Sequence, residues 1–167
     1  MVFNIRKMNE ADIEEAVSVS RETLDNEAIR FEEGKYPKEA HEFYRGNHTK
    51  EKYLEDLERK DRINLVAVLG GKVIGVTKAT ISERGGLSFL GWTCVQPSEQ
   101  GKGYGELMVR HVLDYCKSQG SHKISLNTLP MLKPAINLYL KLGFVQEALL
   151  KKHYWKIDFI LMSKWFD

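Results

Sequence analysis

Three glycines stand close together where a predicted strand turns into a predicted helix. The segment Val95–Gly105 reads VQPSEQGKGYG, with Gly101 and Gly103 inside it and a third glycine at its end. Glycine lets the backbone curl through conformations that other residues disfavour. Unpaired amides at a helix N-terminus and the positive end of the helix dipole bind phosphate. The segment therefore predicts a phosphate-binding turn, and Lys102 adds a formal positive charge.

Two common phosphate-binding turns do not fit this segment. A P-loop needs the string G-x-x-x-x-G-K-(S/T), which the sequence lacks. A dinucleotide-binding turn needs G-x-G-x-x-G, and its third glycine would fall at position 106, where the chain has Glu106. The pattern that remains is Q-x-x-G-x-G, which runs from Gln100 through Gly103 to Gly105.

This pattern resembles the pyrophosphate turn (Q/R)-x-x-G-x-(G/A) of the GNAT superfamily of N-acetyltransferases. A second segment, Ala135–Phe144 (AINLYLKLGF), resembles that family's A-x-x-L-Y-x-K-x-G-F element and follows the turn in the family's order and spacing. The resemblance covers residues 62–165 well and reaches the first strand and helix only loosely. It implies an acetyl-CoA-dependent N-acetyltransferase.

The resemblance also implies where acetyl-CoA binds. In this family the strand before the turn parts from its neighbour and offers free backbone groups to the pantetheine arm. Here these groups would come from Thr93, Cys94 and Val95, and one of the N–H groups would polarise the thioester carbonyl. The pyrophosphate would lie against the turn, which comprises Gln100, Gly101, Lys102, Gly103, Tyr104, Gly105 and Glu106.

Tyr139 matches the tyrosine that in many members lies near the CoA sulfur and protonates the departing thiolate. It also lies on the apolar stripe of its predicted helix, so simple packing is the alternative interpretation. Trp92 and Trp155 are interpreted as packing residues rather than as the lining of an acceptor pocket.

Two positions depart from the family pattern. Leu132 stands where many members have an asparagine that contacts the cofactor. Asn127 stands where the ribosomal-protein N-terminal acetyltransferases have a glutamate that serves as base. Because an amide cannot accept a proton, that subfamily's mechanism is not expected here. The base stays unassigned, with Glu83 and a water chain as candidates.

The first third of the chain predicts a strand and several helices. Phe3–Met8 alternates apolar and polar residues, and Asn9 suits the N-cap of the helical spacing that follows it. Residues 27–60 are highly charged and predict a surface helical segment that ends in a polar helix, Thr49–Arg59.

A hairpin and a central strand are predicted before the turn. The hairpin joins Leu65–Leu69 to Val73–Ile81 through two glycines at 70 and 71, a pair that accepts the positive φ angles of a tight turn. Leu87–Val95 predicts a central strand, since both its faces are largely apolar. Strict alternation groups Phe89, Thr93 and Val95 on one face and Leu90, Trp92 and Cys94 on the other.

The remaining elements are two helices, a strand and a closing hairpin. They are predicted at Tyr104–Lys117 with Gly120 after it, Lys123–Thr128, Pro134–Leu142 with Gly143 after it, and Phe144–Trp155 paired with Asp158–Trp165. Together with the resemblance they predict an α/β (α+β) fold: a mixed, mostly antiparallel twisted sheet of about six or seven strands flanked by about four helices. One domain over residues 1–167 is expected.

Composition argues against several classes of protein. A chain of 167 residues with 43% hydrophobic content fits one domain, and no apolar stretch approaches the roughly 20 residues of a membrane span. No export signal is visible, so cytoplasmic residence is expected. Cys94 and Cys116 are interpreted as reduced structural thiols, and no metal site is supported. A net charge of +2 without a basic stripe argues against nucleic acid as a partner.

The predicted reaction is direct attack of a neutral amine on the acetyl thioester. A small-molecule amine is favoured, and 15 acidic against 11 basic residues in positions 1–60 favour a cationic one. Acetylation of a protein N-terminus or lysine is one alternative. A non-catalytic acyl-CoA-binding sensor is another. The residues leave open whether the chain forms a homodimer.

Overall fold

A sheet of seven strands, flanked by helices on both faces, makes up the described part of the chain. The computed structural model describes residues 1–27, 37–82 and 85–166. The strands are β1 (Phe3–Lys7), β2 (Arg62–Leu69), β3 (Lys72–Ile81), β4 (Leu87–Val95), β5 (Lys123–Thr128), β6 (Val145–Leu150) and β7 (Phe159–Trp165). The helices in the described ranges are α1 (Ile13–Glu27), α2 (Lys38–Gly46), α3 (Lys50–Glu58), α4 (Tyr104–Ser118) and α5 (Lys133–Lys141).

The strands lie in the order β1-β2-β3-β4-β5-β7-β6. Strands β1 to β4 pair in sequence as antiparallel neighbours, and β7 pairs antiparallel with both β5 and β6. Only the pair β4–β5 is parallel among these ladders, and α4 connects its two strands. The predicted mixed, mostly antiparallel sheet is therefore confirmed, with five described helices where about four were expected.

Helix α1 is fixed to the sheet at its start. Asn9 caps a 3₁₀ turn, Glu10–Asp12, that leads into α1, and its side chain accepts from the Ala11 N–H at 2.9 Å. In return, the Asp12 carboxylate accepts a hydrogen bond from the Asn9 N–H. It also accepts two hydrogen bonds from the Arg6 side chain of β1, at 2.6 and 2.7 Å. The predicted N-cap is confirmed, and the ion pair holds α1 against the first strand.

The core has two main layers. One buried cluster joins α4 to the sheet through residues such as Val109, Val112 and Ile124. The other joins α1 and α3 to the opposite face through residues such as Ile13 and Tyr53. No described helix is both long enough and apolar enough to cross a bilayer.

Most predicted element ends agree with the structure. The hairpin glycines Gly70 and Gly71 have φ of 58° and 86°, as a tight turn requires. The first strand of the closing hairpin, however, ends at Leu150 and not at Trp155. The chain turns there instead, because Lys152 and Trp155 take positive φ angles that no strand contains.

The predicted faces of β4 are wrong in one respect. In the β3–β4 ladder Lys78 pairs with Trp92 and Ala79 pairs with Leu90, so Gly91 is an extra residue that forms a β-bulge. A bulge shifts the alternation by one position. Leu90 therefore packs in the cluster under α4, whereas Trp92 and Cys94 pack in the cluster under α1.

Both cysteines are free and buried, in agreement with the prediction of structural thiols. The Cys94 sulfur lies 3.6 Å from the Ser20 hydroxyl of α1. Ser20 also contacts the Tyr53 hydroxyl at 2.7 Å and accepts from the Trp92 indole N–H at 3.2 Å. The side of β4 that faces α1 is thus held by a buried polar cluster.

Gly75 of β3 provides a test of how closely α4 approaches the sheet. A Cβ at this position would lie 2.7 Å from the Met108 sulfur and 3.0 Å from the Cys94 carbonyl oxygen. We expect Gly75→Ala to lower the free energy of unfolding by about 1–3 kcal/mol through overpacking, measured by urea denaturation. Gly46→Ala, with no atom within 4 Å, is the control and should change it by less than about 0.5 kcal/mol. Equal stability of the two variants would contradict the close approach.

Candidate active site

The glycine-rich turn leaves β4 through a 3₁₀ turn, Pro97–Glu99, and enters α4 at Tyr104. Gly101 and Gly103 have φ of 79° and 87°, in the left-handed region that glycine adopts without strain. Among the described residues, no acceptor takes a hydrogen bond from the main-chain N–H groups of residues 101–106. These amides are therefore available to an anion at the N-terminus of a long helix.

The turn is anchored to the end of β4. The Gln100 side-chain amide donates to the Val95 carbonyl at 3.0 Å, and the Thr23 hydroxyl of α1 donates to the same oxygen at 3.3 Å. Gln100 thus positions the turn through its side chain. The Lys102 ammonium donates to Glu99 at 2.9 Å, so the predicted positive charge is paired with a carboxylate of the same turn.

Helix α5 is tied to the first turn of α4. Glu106 accepts from Arg110 at 2.8 Å and from Lys141 of α5 at 2.5 Å. These bonds hold the pKa of the Glu106 carboxyl below its usual value, with Lys141 the larger cause. A Cβ at Gly105 would touch Leu138 of α5 at 3.7 Å, an ordinary contact distance. The two helices therefore keep a fixed relation at the turn.

Strands β4 and β5 part soon after they begin to pair. Their parallel ladder joins only Leu87–Phe89 to Lys123–Ser125, although both strands continue beyond it. The bulge at Gly91 follows directly, and bulges bend the strand that contains them. The second half of β4 therefore has one open edge.

The ladder determines which backbone groups face that open edge. Gln96 N–H donates to the Ile74 carbonyl of β3 at 2.8 Å, which makes this a hydrogen-bonded pair. Because such pairs alternate along antiparallel strands, Cys94 also points its backbone groups toward β3. Thr93 and Val95 point theirs to the open side. Of the three strand residues that the sequence predicted, Thr93 and Val95 thus direct their backbone groups toward the gap. The Val95 carbonyl already accepts a hydrogen bond from Gln100.

A cavity of about 540 Å³ occupies the gap and extends from it. Its size lies within the range of small-molecule and cofactor sites. Its walls come from the parted strands, from α5, from the ends of α1 and α2, and from the segment between β6 and β7. The lining residues are Leu24, Glu27, Phe43, Tyr44, Phe89, Leu90, Gly91, Trp92, Thr93, Leu126, Asn127, Thr128, Leu129, Leu132, Ala135, Tyr139, Tyr154, Trp155 and Phe159.

Tyr139 lies on this cavity, together with Thr93. Its ring contacts Phe144 with centroids 5.6 Å apart, and its surface is partly accessible. Burial raises the pKa of the phenol well above its usual value, and the negative charge of Glu27 raises it further. The Tyr139 hydroxyl therefore stays protonated at neutral pH and can donate a proton.

The two departures from the family pattern also lie on the cavity. Leu132 contributes an apolar wall, and Asn127 contributes a side-chain oxygen that is buried and has no hydrogen-bond partner in the described ranges. Such an acceptor is costly to bury unless a bound molecule supplies a donor. Glu83, the base candidate from the sequence, lies outside the described residues.

Aromatic side chains from distant parts of the chain line the far end of the cavity. The Trp155 ring lies 5.2 Å from that of Phe43 and 5.5 Å from that of Tyr44, both on α2. Trp92 lines the cavity as well. Trp92 packs against the cluster under α1, as the sequence interpretation expected, but Trp92 and Trp155 also line the cavity, which that interpretation did not expect.

Glu27 is the residue that sequence reasoning missed. It ends α1, one turn after the buried Leu24, and it brings a carboxylate to the cavity that holds Tyr139. A sequence signal did exist, since this acid continues the buried side of the predicted helix. The sequence alone could not show that the end of α1 lines the same cavity as α5.

Comparison with known proteins agrees with this geometry. The model of the Acetyltransferase (GNAT) family matches residues 24–144. No curated protein sequence matches the chain.

Several solved structures share the fold. The PaiA N-acetyltransferase of Thermoplasma acidophilum in complex with coenzyme A has a TM-score of 0.83 at 24% identity, over 99% of this chain and 100% of that one. A ribosomal-protein alanine acetyltransferase of Vibrio fischeri has a TM-score of 0.78 at 22% identity, over 99% and 93%. Mutant forms of the spermidine/spermine N-acetyltransferase SpeG of Vibrio cholerae have a TM-score of 0.72 at 18% identity, over 98% and 95%.

Two glycines at opposite ends of α4 provide a matched test of the turn. Gly103 and Gly120 have φ of 87° and 83°, and neither would bring a Cβ within 4 Å of another residue. Alanine at either site should cost about 1 kcal/mol of stability through backbone strain. Only Gly103→Ala should also weaken coenzyme A binding, by about tenfold, because it would distort the amides that are expected to meet the pyrophosphate. Isothermal titration calorimetry measures the affinity, and equal affinities of the two variants would contradict the assignment.

Proposed function

The chain belongs to the GNAT family of acetyltransferases, and on that premise we propose that it transfers the acetyl group of acetyl-CoA to the primary amine of a small molecule by direct attack. The observation that carries this proposal is the cavity between the parted strands. It begins beside the open edge of β4 and reaches Tyr139, and it extends into an aromatic chamber. One continuous space thus has room for a thioester and an acceptor.

The residues that would hold the cofactor fit its chemistry. The amides of residues 101–106 suit the pyrophosphate, and the outward backbone groups of Thr93 and Val95 suit the pantetheine arm. Asn127 offers its unpartnered oxygen to an amide N–H of that arm. When bound, acetyl-CoA supplies the thioester carbonyl carbon that the amine attacks and the sulfur that leaves.

Two groups of the chain assist that exchange. A backbone N–H at Thr93 or Val95 donates to the carbonyl oxygen as negative charge develops there. Tyr139 donates its hydroxyl proton to the departing sulfur. The raised pKa of its phenol keeps the hydroxyl protonated before the thiolate forms.

The chamber favours a small molecule over a protein N-terminus. Trp155, from the segment between β6 and β7, contacts Phe43 and Tyr44 of α2 across the cavity. A polypeptide would have to separate these rings to lay more than its first residue inside. Acetylation of a protein N-terminus is the second candidate, and the likeness of the fold to the ribosomal-protein alanine acetyltransferase of Vibrio fischeri is what supports it.

Tyr139→Phe tests the proposed acid. Loss of the hydroxyl should lower turnover by about 100-fold, since general acid catalysis contributes at least that much. The dissociation constant of coenzyme A should change by less than about twofold, because the ring remains. Thiol release from acetyl-CoA, followed against a panel of amines, measures the turnover.

Tyr115→Phe is the matched control for this change. Tyr115 lies on α4, and the Lys7 ammonium lies 5.4 Å from the centroid of its ring. Tyr115 does not line the cavity. Its turnover should match that of the unmodified protein. Unchanged turnover in Tyr139→Phe would remove Tyr139 from the mechanism, and absence of transfer to every amine and peptide would favour a non-catalytic acyl-CoA-binding module.

A further inference from the structure

We propose that a second, smaller cavity of the chain binds a carboxylate group, with Arg62 and Lys78 as its cationic partners. This cavity has a volume of about 280 Å³ and lies between α2, α3 and strands β2, β3 and β4. It adjoins the larger cavity, because Gly91 and Trp92 line both spaces. The inference stands apart from the proposed acetyl transfer, since carboxylate binding can be measured without acetyl-CoA.

The two cations come from neighbouring strands on one face of the sheet. In the β3–β4 ladder Lys78 lies opposite Trp92. In the β2–β3 ladder Arg62 lies opposite Thr80, two positions along β3 from Lys78. Residues that are paired across strands or two apart on one strand point to the same side of a sheet. The Lys78 side chain is 8% exposed and that of Arg62 is 23% exposed, so both charges lie largely inside the protein.

One carboxylate serves both of these cations. Asp56 of α3 accepts from Lys78 at 2.7 Å with one oxygen and from Arg62 with the other. Lys52 also lines the cavity, and its exposed ammonium donates to Glu55 at 2.8 Å. Among the described residues that line the cavity, three are thus cationic and only Asp56 is acidic. With Lys52 paired to Glu55, the buried group keeps one positive charge in excess.

The groups around this cavity respond to the excess charge. Burial lowers the pKa of the Lys78 ammonium, and the charge of Arg62 lowers it further, although Asp56 raises it in part. Burial also holds the pKa of His48, which lines the same cavity, down to about 3, with the charges of Lys78 and Arg21 as further causes. The imidazole is therefore neutral. Asp56 alone does not neutralise the positive charge that these two groups experience.

The hydrogen-bonding groups of the cavity favour a carboxylate over other anions. The Arg62 Nε is buried and has no hydrogen-bond partner in the described part of the chain, and a buried donor without an acceptor is costly. A carboxylate offers two acceptor oxygens that match the planar fork of a guanidinium. Its single negative charge equals the excess positive charge. A phosphate group would bring a second negative charge, which Asp56 would repel.

The wall shared with the larger cavity defines two sources for this carboxylate. Trp92 forms much of that wall: its indole N–H donates to Ser20 at 3.2 Å, and its ring lies 4.4 Å from the His48 ring. A carboxylate at the distal end of the acceptor would pass Trp92 to reach Arg62. A separate small acid would enter the second cavity alone. Both sources present the same group to the same cations.

Benzoate and benzamide test the site on the unmodified protein. They have nearly the same shape, but only benzoate is charged at neutral pH. We expect isothermal titration calorimetry to show that benzoate binds about tenfold more tightly or better, since charge-assisted hydrogen bonds are about twice as strong as neutral ones. Phenyl phosphate should displace benzoate with an affinity at least about threefold below that of benzoate. Equal affinities for benzoate and benzamide, or tighter displacement by phenyl phosphate, would overturn this inference.

Arg62→Gln tests the buried partner of the carboxylate. The variant should lower benzoate affinity by about tenfold or more, whereas Asp56 keeps its bond from Lys78. Arg59→Gln is the matched control, because Arg59 also pairs with an aspartate but does not line the cavity. Its affinity should stay within about twofold of that of the unmodified protein. Equal affinities of the two variants would show that benzoate binds elsewhere and would overturn the assignment.

Lys52→Gln provides a second test on a side chain that the fold does not need. Lys52 is exposed at the cavity, and Lys50 is equally exposed on the same helix but does not line it. We expect Lys52→Gln to lower benzoate affinity by about threefold, because it removes a cation and leaves Glu55 unpaired. Lys50→Gln should change the affinity by less than half as much. Equal affinities of these two variants would also contradict the site.

Paired acceptors identify the source of the carboxylate. The pairs are γ-aminobutyrate with butylamine and ε-aminocaproate with hexylamine, assayed with the unmodified protein and with Arg62→Gln. A carboxylate on the acceptor should raise kcat/KM within a pair by about tenfold or more, and Arg62→Gln should remove that preference. Equal values within both pairs, with benzoate binding that requires Arg62, assign the site to a separate small acid. No transfer to these or other amines would overturn the proposed function and leave the carboxylate site intact.

Discussion

The open edge of β4 is the constraint on which the rest of the site depends. Buried backbone N–H and C=O groups need hydrogen-bond partners, and a strand that parts from its neighbour loses the hydrogen bonds along that edge. Here the loss begins after Phe89, where the parallel ladder with β5 ends. An extended amide-containing ligand can replace the missing strand by the same hydrogen-bonding rule. The cavity and the helix that carries Tyr139 lie beside this edge, and the glycine-rich turn follows the strand that forms it.

The surrounding structure keeps this edge open. The bulge at Gly91 bends β4, and β3 pairs with the other edge of β4. The Gln100 side chain donates to the carbonyl of Val95, the last residue of β4. The close contact of Gly75 with Met108 keeps α4 against the same strands. The free amides of the turn and the open edge are therefore held by the same strands, and a ligand that contacts both would need little rearrangement of the protein.

Local chemistry in the sequence predicted much of this arrangement. The left-handed glycines of the turn, the Gly70–Gly71 hairpin and the Asn9 cap each follow from conformations that few residue types adopt. The bulge at Gly91 was not predictable in this way, since it depends on the register of two strands, and it reversed the face assigned to Leu90. The places of Glu27 and Trp155 on the cavity were not predicted, for a related reason. Each reaches the cavity only because elements far apart in sequence end at the same place.

The buried cluster beneath β4 bears on how the acetyl group travels. Cys94 lies in the strand that would border the thioester in the proposed complex, and a thiolate there would be a competing acceptor. Its burial raises the pKa of the thiol to about 11, and the bulge turns its side chain to the α1 face, beside Ser20. The sulfur is thus both protonated and on the wrong side of the sheet. An acylated Cys94 is therefore disfavoured as an intermediate, which supports the direct transfer that we propose.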